Sequence, residues 1–332
     1  MIYAINIQFR LVRVGFNSSA HLTLKKEDCY ETKSKVYRGW DDFTGLSSWF
    51  RNGYGRKFIC GGQGDQVARP VPLAGCQHRI KERTNGRLIL EPFAAGSLVP
   101  AKEIFNAVKR GMIQMGTISP AYVRDQIEVA GIAAGLPYAF KNVWEAAYYH
   151  KWLGFEKIIQ AEAAEHGVFY STDKVYPTEL ASYLPGPEVY PSLASGVVDG
   201  AHWGAAQGAY SMKLYDVCKY HLLPGLNIAG TDAWVVNQKA IDKLPEDIQA
   251  IFYNALEEQF WKRTNQYIYL EAIVLAKAVK EKGVEVITLP AEDQKKMTEI
   301  AMKMWDKEGE KGPDAAKALK ILKDFLKSLG HL

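Results

Sequence analysis

The residues suited to acid–base or nucleophilic chemistry are few and scattered. Glu179 and His202 are a pair that could in principle act as acid and base. No Gly-x-Ser-x-Gly motif is present, and the contexts of four other histidines are unrelated to that of His202: His21, His78, His150 and His166. We find no nucleophile beside a base, no metal cluster and no paired acids at convincing spacing. The sequence therefore does not predict an enzyme.

The cysteines and glycines form no recognisable cofactor site. The four cysteines, Cys29, Cys60, Cys76 and Cys218, show no Cys-x-x-Cys and no zinc-type spacing with histidine. Cys218 falls in an apolar helical stretch, which favours a buried thiol over a nucleophile. The glycine-rich piece 60–64 lacks the later glycine and the Lys-Ser/Thr of a phosphate loop, so we expect an ordinary loop.

Composition excludes two broad classes of partner. The chain has 332 residues, a net charge of +4, 48% apolar and 23% charged residues, as is usual for soluble globular proteins. This charge provides no basic stripe for nucleic acid. No run approaches the ~20 apolar residues of a membrane span. The start, MIYAINIQFRLVRVG, lacks the pattern of a secretory signal, so the chain read literally is expected to stay in the cytoplasm.

Strand and helix patterns alternate after residue 76, whereas residues 1–75 follow no sustained period. Strands are predicted at 87–93, 113–118, 168–170, 233–237 and 284–289, with strand and loop at 197–203. Helices are predicted at 100–110, 143–164, 188–195, 290–309 and 315–329. Strand–helix–strand units of this kind predict a parallel or mixed sheet with helices on its faces.

One helical pattern is unusually long. It opens at Pro245 and continues to about Lys282, and a helix of ~37 residues spans ~55 Å, which exceeds a single lobe. We expect it to brace two lobes or to kink. The amphipathic tail 315–329 is interpreted as a packing face, with binding to a membrane surface as the alternative.

Several stretches between residues 79 and 237 form a recognisable set. They read RIKERTNGRL (79–88), FAAGSLVP (93–100), GMIQMG (111–116), GLPY (135–138), LPGPEVYPSLASGVVDGAHW (184–203), and KY at 219–220 through PG at 224–225 to Asn237. Their order and spacing resemble the DctP family of TRAP solute receptors, and the 184–203 run is the most specific. The branch it resembles binds 2-oxo or 2-hydroxy monocarboxylates.

The resemblance implies an α/β, two-lobed, periplasmic-binding-protein-like fold with crossing strands and a long connecting helix. The ligand would lie between the lobes, and closure would be a hinge motion. Residues 77–182 would form mainly the N-lobe, 183–240 mainly the C-lobe, and 241–332 the connecting and C-terminal helices, with 1–76 as an atypical N-terminal segment. Such receptors hold a carboxylate with a guanidinium and enclose it with aromatic walls.

The resemblance also assigns ligand-binding residues. Tyr122 takes the place of a tyrosine that lines the cleft, and Trp203 that of a tryptophan beside the ligand. Glu179 stands where many relatives have a glutamine ligand, and Ser182 is expected to face the ligand. Further polar candidates at strand ends are Gln207, Asn237 and Asp232.

Many relatives hold a metal ion beside the ligand, so the resemblance implies Na⁺ or Ca²⁺ on Glu179 and the Trp203 carbonyl. Where those relatives have a glutamate before the tryptophan, this chain has His202. Hard cations prefer oxygen to imidazole, which disfavours the metal here. His202 would instead donate a charge-assisted hydrogen bond to an anionic ligand, the alternative being a histidine satisfied by its neighbours.

One crossing segment expected from the resemblance is missing. Between Ser182 and Tyr183 the family carries a crossing strand, a helix and the arginine that clamps the carboxylate. No arginine lies between Gln126 and Lys262. The first strand expected before residue 77 is also unrecognisable. This loss predicts unpaired sheet edges, lower stability than in relatives, and poor carboxylate binding.

Three explanations stay open for these departures: a damaged or frame-shifted gene copy, errors in the reading frame, or a divergent receptor. A divergent receptor would hold its ligand with another cation: His202, Lys174 or an N-lobe arginine such as Arg124.

We therefore expect an extracytoplasmic receptor, periplasmic by resemblance, that delivers a small carboxylate to a TRAP membrane permease, with binding impaired by the missing segment. The alternatives are a cytoplasmic small-molecule sensor and a non-functional truncated copy. A nucleic-acid partner is not expected. The resemblance leaves open a homodimer formed through the C-terminal helices.

Overall fold

The computed structural model describes residues 4–9, 73–93, 96–178, 186–201 and 204–332, with backbone only for 4–9 and a few residues at element ends. The predicted glycine-rich loop at 60–64 lies outside these residues. The strands are β1 (Ala4–Phe9), β2 (Leu88–Phe93), β3 (Met115–Ile118), β4 (Val168–Thr178), β5 (Tyr220–Leu223), β6 (Asn227–Asn237) and β7 (Glu285–Thr288).

The α-helices of these residues fall before, between and after the strands. They are α1 (Leu73–Arg83), α2 (Ile104–Lys109), α3 (Ala130–Ala133), α4 (Val143–Lys151), α5 (Phe155–Glu165), α6 (Gly186–Ala194), α7 (Ala205–Ser211), α8 (Gln238–Asp242), α9 (Glu246–Lys282), α10 (Ala291–Gly309) and α11 (Pro313–Ser328). Single turns of 3₁₀ helix occur at Ala101–Glu103, Pro120–Val123 and Leu214–Asp216. None of the described helices is long and apolar enough to cross a membrane.

The larger sheet has the strand order β2-β1-β3-β6-β4 and the smaller one pairs β5 with β7. Neighbours in the larger sheet are all antiparallel, whereas β5 and β7 are parallel. The sequence predicted a parallel or mixed sheet because β2, α2 and β3 form a strand–helix–strand unit. β2 and β3 do point the same way, but β1 lies between them in the opposite direction. The strand that was unrecognisable from the sequence is therefore present at residues 4–9.

β4 and β6 are the longest strands of the described residues, at 11 residues each. They pair from Val168 opposite Asn237 to Thr178 opposite Asn227, with two irregularities. The sequence predicted only 168–170 and 233–237 as strand, because the polar and glycine residues beyond them interrupt the apolar pattern. Pairing across the sheet extends both strands past those interruptions.

The outer edge of β4 is covered by helix side chains. Gln160 donates to the carbonyl of Tyr170 at 3.0 Å, and the Thr172 N–H donates to Glu156 at 2.7 Å. The Val175 N–H donates to the Thr264 hydroxyl at 3.1 Å. The expected unpaired edge is therefore partly satisfied by α5 and α9, which reduces its tendency to pair with another chain.

Apolar residues pack on both faces of the larger sheet. Along β6, Ala233 and Val235 join the core that contains α3–α5 and α11, whereas Trp234 and Val236 join the core beneath α1 and the start of α9. This alternation is the period of two expected for a strand buried on both faces. A third, smaller core lies around α6 and α7 and belongs to the second lobe.

α9 links these cores, as predicted from its length. Its 37 residues place Phe252 in one core of the large sheet, Phe260 in the other and Ala278 in the core of the small lobe. The predicted helix ending near residue 309 and the amphipathic tail helix are also present, and the apolar face of α11 is buried against the large core.

Two predicted elements differ from the structure. The helix predicted at 143–164 is divided into α4 and α5, because Gly154 adopts φ +89° and begins a new helix. The spacing of apolar residues does not show where a glycine adopts a positive φ angle, so the sequence did not predict this break. Residues 197–201 form no strand. The Val197 side chain is 74% exposed, so the apolar residues that suggested a strand here are not buried in a sheet.

His150 lies at the end of α4 and is buried among aromatic rings. Its ring centroid is 5.7 Å from that of Tyr149 and 4.9 Å from that of Phe155, and its Nδ1 lies 3.5 Å from the Thr172 hydroxyl. Burial, and then the adjacent Lys151 ammonium, lower the pKa of His150 to about 3. The imidazole is therefore neutral in the folded protein at neutral and mildly acidic pH.

This burial predicts an acid-sensitive contribution to stability. Between the unfolded pKa of about 6.5 and the folded pKa of about 3, the unfolded chain binds a proton that the folded chain does not. The stabilisation is complete above pH 6.5 and is lost as the pH falls towards 3. His150→Gln should reduce the difference in unfolding free energy between pH 7 and pH 4.5 by about 2 kcal/mol, measured by urea denaturation.

The matched control is His78→Gln, since the His78 side chain is 70% exposed. It should leave the pH dependence unchanged. If the free energy of unfolding falls equally with decreasing pH in wild type and in His150→Gln, the attribution of this pH dependence to His150 is wrong.

Candidate functional site

The central parts of β4 and β6 bring together a buried ion pair. Lys174 lies opposite Asp232 in the strand register, is 3% exposed, and donates to the Asp232 carboxylate. The Tyr176 hydroxyl donates to the second Asp232 oxygen at 3.3 Å. Burial by itself raises the pKa of Asp232, but the charge of Lys174 and the hydrogen bonds from Lys174 and Tyr176 help to lower it below its usual value. Asp232 is therefore ionised and paired.

A second buried pair lies beside the first. Asp173 is fully buried, and one of its oxygens accepts from Arg263 of α9 and lies 3.9 Å from the Lys174 ammonium. Its other oxygen has no hydrogen-bond partner among the described residues. Two cations and two carboxylates give this cluster no net charge, which is the condition for burying charges at all.

Aromatic rings cover the ion pairs. The rings of Tyr176 and Tyr267 are 5.2 Å apart, and the Lys174 ammonium lies 4.8 and 5.6 Å from their centroids. The Tyr267 hydroxyl donates to the Gly204 carbonyl at 3.4 Å, so α9 contacts the residue that precedes α7. Burial raises the pKa of Tyr267 to about 12, so its hydroxyl remains a hydrogen-bond donor.

Tyr122 acts electrostatically on Tyr176. Burial raises the pKa of Tyr176 well above its usual value, and the charge of Asp232 raises it further. The phenols of Tyr267 and Tyr122 add to that effect. Tyr122 lies in the 3₁₀ turn after β3 and is 40% exposed. It can therefore present its hydroxyl to a molecule in the surrounding space.

Gln207 lies on the first turn of α7. Glu271 of α9 accepts from the Ala206 and Gln207 N–H groups at 2.6 and 3.0 Å, so a carboxylate satisfies the start of this helix. The side-chain oxygen of Gln207 is buried and has no hydrogen-bond partner among the described residues. A buried amide without a partner costs free energy, which a bound polar group would recover.

Asn237 is not brought together with these residues. It is 8% exposed and lies at the opposite end of β6, where its amide donates to the Val108 carbonyl at 2.8 Å. Its side-chain oxygen accepts from the Ala240 N–H at 3.1 Å and begins α8. The structure gives Asn237 the role of a helix cap rather than a position beside Tyr122.

Cys218, expected in a helix, follows a 3₁₀ turn instead.

The remaining sequence-predicted residues, Glu179, Ser182, His202 and Trp203, lie outside the described residues. The described residues nearest to them do approach each other, since a Cβ added to Gly204 would lie 3.7 Å from the Tyr176 ring. The functional partners that sequence reasoning missed are Asp173, Arg263 and Tyr267. The sequence did contain one signal for these partners. Asp173 and Lys174 interrupt an apolar strand pattern, and charged residues buried in a strand require partners of opposite charge.

A metal ion fits the described residues poorly. No group of three or more His, Cys, Asp and Glu side chains with metal-binding geometry occurs in the described part of the chain. The two carboxylates of the cluster, Asp173 and Asp232, are already paired with Arg263 and Lys174. A hard cation would have to displace an ammonium or guanidinium group to use them.

Removing Arg263 should destabilise the fold strongly, because the Asp173 carboxylate would lose its partner while buried. Arg263→Met should lower the free energy of unfolding by about 3 kcal/mol or more, measured by urea denaturation. The double variant Asp173→Asn/Arg263→Met should recover part of that loss, since neither charge is then left alone.

The matched control is Lys320→Met, which removes an ion pair with Asp324 in which the side chains are 77% and 56% exposed. The control should cost less than about 0.5 kcal/mol. Equal, small losses in both variants would show that the Asp173–Arg263 pair is not buried.

The amino-acid sequence of this chain matches the profile of a known protein family. The profile of DctP, bacterial extracellular solute-binding protein family 7, matches residues 75–169 and 181–311. The unmatched residues between these stretches include most of β4, with Asp173, Lys174 and Tyr176. The segment expected to be missing between Ser182 and Tyr183 lies within the second matched stretch, and its absence stays a prediction.

Individual relatives agree with the family match. A monocarboxylate 2-oxoacid-binding periplasmic protein of Nostoc sp. is 25% identical over 234 residues, which cover 60% of this chain. The match spans 64% of the length of that relative.

Two solved structures share the fold. One is a TRAP solute-binding protein from Bordetella bronchiseptica, with calcium and picolinate, at TM-score 0.66 and 20% identity, covering 77% of this chain and 87% of that one. The other is a TRAP periplasmic protein from Pseudoalteromonas atlantica, with sodium and pyruvate, at TM-score 0.65 and 18% identity, covering 77% and 88%. The fold is therefore the two-lobed α/β fold of these receptors. Since the family profile covers more than half of its residues, this chain belongs to the DctP family of bacterial extracellular solute-binding proteins.

Proposed function

We propose that the protein is an extracytoplasmic receptor that binds a small carboxylate between its lobes and delivers it to a TRAP-type membrane permease. The family match supports a solute-binding role rather than catalysis. The relative from Nostoc sp. binds monocarboxylate 2-oxoacids, and the Pseudoalteromonas atlantica structure holds pyruvate. We infer a 2-oxo monocarboxylate of similar size as the ligand class for this chain.

The observation that carries the proposal is the buried side-chain oxygen of Gln207, which has no hydrogen-bond partner among the described residues and lies at the junction of α7, α9 and β4. Tyr176 and Tyr267 both approach Gly204, the residue that directly precedes α7. A site of this kind combines aromatic walls with a few polar groups that fix the ligand's orientation. Tyr122 adds an exposed phenol on the side of the large sheet.

The cations of the cluster are not available as a clamp. Lys174 and Arg263 are each paired with a carboxylate, so neither is free to clamp the ligand's carboxylate. Neutral hydrogen bonds are weaker than charge-assisted ones. This supports the expectation that the affinity is lower than a bidentate arginine would give.

For the metal, we propose that ligand binding does not require Na⁺ or Ca²⁺. The carboxylates that the structure describes beside the ligand position are neutralised by protein cations. The resemblance assigns the ion to Glu179 and the Trp203 carbonyl, and His202 stands where many relatives have the glutamate that binds the metal.

Calorimetric titration with pyruvate tests the proposal. We expect saturable one-to-one binding with a Kd below about 1 mM, which corresponds to roughly −4 kcal/mol, and no binding of the neutral analogue pyruvamide. Tyr122→Phe and Gln207→Ala should each weaken binding about tenfold, because each removes one hydrogen bond of about 1.4 kcal/mol. Replacing Na⁺ by K⁺ and adding a chelator should leave the affinity unchanged.

The control for Tyr122→Phe is Tyr220→Phe, since Tyr220 is 61% exposed on β5. This variant should bind pyruvate as wild type does. The proposal fails if pyruvate, related 2-oxo acids and the 2-hydroxy acid lactate all give no saturable heat. Fractionation of cells that express the gene with its upstream DNA tests the periplasmic location.

A further inference from the structure

A cavity lies at the end of the large sheet where β4 begins and β6 ends. Its volume is about 380 Å³, and its walls come from the end of α2, the turn before β4, and α8. Asp232 and Asn237 are five residues apart on β6, so the cavity is roughly 17 Å along the strand from the ion pairs of the candidate ligand site. The two sites therefore do not share residues.

The lining of this cavity is strongly basic. It includes Lys109, Arg110, Lys239 and Lys243, and no aspartate or glutamate lines it. Arg110 reaches Glu103 only at 4.0 Å, and among the described residues Lys239 and Lys243 form no ion pair. Like charges gathered on a concave wall raise the local positive potential. Within the described residues, Glu103 is the carboxylate that reaches one of these four cations.

One cation of the cavity is fixed in place. The Nε2 of His166 lies 2.9 Å from the Gln126 carbonyl, which can only accept, so Nε2 carries the hydrogen. The Nδ1 of His166 then accepts from the Lys109 ammonium at 3.0 Å. The ring also stands edge-on to Phe105, with centroids 5.8 Å apart. His166 is thus a positioning residue that holds the Lys109 ammonium at the wall.

The floor of the cavity is tied together by the backbone. The Asn237 N–H donates to the Gln114 carbonyl at 2.8 Å, and the Gln238 N–H donates to the Gly167 carbonyl at 2.9 Å. Gly111 and Gly167, with φ +73° and +70°, turn the chain at the rim. These bonds join the ends of β3, β4 and β6, so the basic groups project from a rigid frame.

We propose that this cavity is a binding site for a polyvalent oxyanion, a phosphate group above all. Lysine ammonium groups serve as point charges for phosphate without demanding one orientation. Four cations exceed what a monocarboxylate can neutralise, whereas a phosphate group, with a charge of about −1.5 to −2, neutralises more of them, and pyrophosphate more still. The same chemistry is offered by a free phosphate and by an anionic phospholipid headgroup.

Titration of the whole protein with inorganic phosphate and with pyrophosphate, at constant ionic strength, tests the site. We expect saturable binding with a Kd below about 1 mM. The double variant Lys239→Gln/Lys243→Gln should weaken it at least about thirtyfold, because it removes two charge-assisted hydrogen bonds. The control Lys295→Gln/Lys303→Gln removes two exposed lysines of α10 and should bind as wild type does.

A vesicle arm distinguishes the source of the phosphate. If the double variant loses cosedimentation with phosphatidylglycerol vesicles, and wild type does not bind phosphatidylcholine vesicles, the occupant is a headgroup. Binding of inorganic phosphate alone indicates a soluble oxyanion. The proposal is overturned if wild type binds neither probe, or if both double variants bind equally. The outcome is independent of pyruvate binding, which the Lys239 and Lys243 changes should leave unaffected.

Discussion

Lys174 and Asp232 face each other across β4 and β6 in a largely buried position, and Asp173 and Arg263 form a second pair against them. Charges in such a place are tolerated only as complete pairs, so each member constrains the others. The pairs fix the register of the two longest strands and attach α9 to their ends. Because α9 continues into the core of the small lobe, the same constraint relates the two lobes.

This arrangement separates the electrostatics of the two ends of the sheet. Around β4, α7 and α9, cations and carboxylates cancel, and we propose that tyrosine rings and the Gln207 amide contact the ligand there. At the other end, lysines and an arginine stand without carboxylates in the cavity wall. A neutral, aromatic junction suits a small organic acid held by hydrogen bonds, whereas the basic end suits a more highly charged anion.

The sequence predicted the features that depend on residues close together in the chain. α9 followed from its uninterrupted helical period, and the DctP match followed from short motifs in a fixed order. Contacts between distant residues were not predictable in the same way. The pairing of Arg263 with Asp173 depends on how α9 crosses β4, and the division at Gly154 depends on a single left-handed φ angle.

Two further differences have the same origin. β1 fills the place between β2 and β3 although its own neighbourhood in the sequence shows no regular pattern, because strand pairing is decided by distant partners. Asn237 was a reasonable polar candidate at a strand end, but strands have two ends, and only the fold shows which one faces the ligand.

Hydrogen–deuterium exchange with and without saturating pyruvate tests the central claim most directly. If the organic acid is held where β4 meets α7 and α9, exchange should slow in peptides covering 170–178 and 204–211. It should stay unchanged in peptides covering 109–114 and 237–243. Absence of protection at the first two segments, or protection confined to the basic end, would contradict the account.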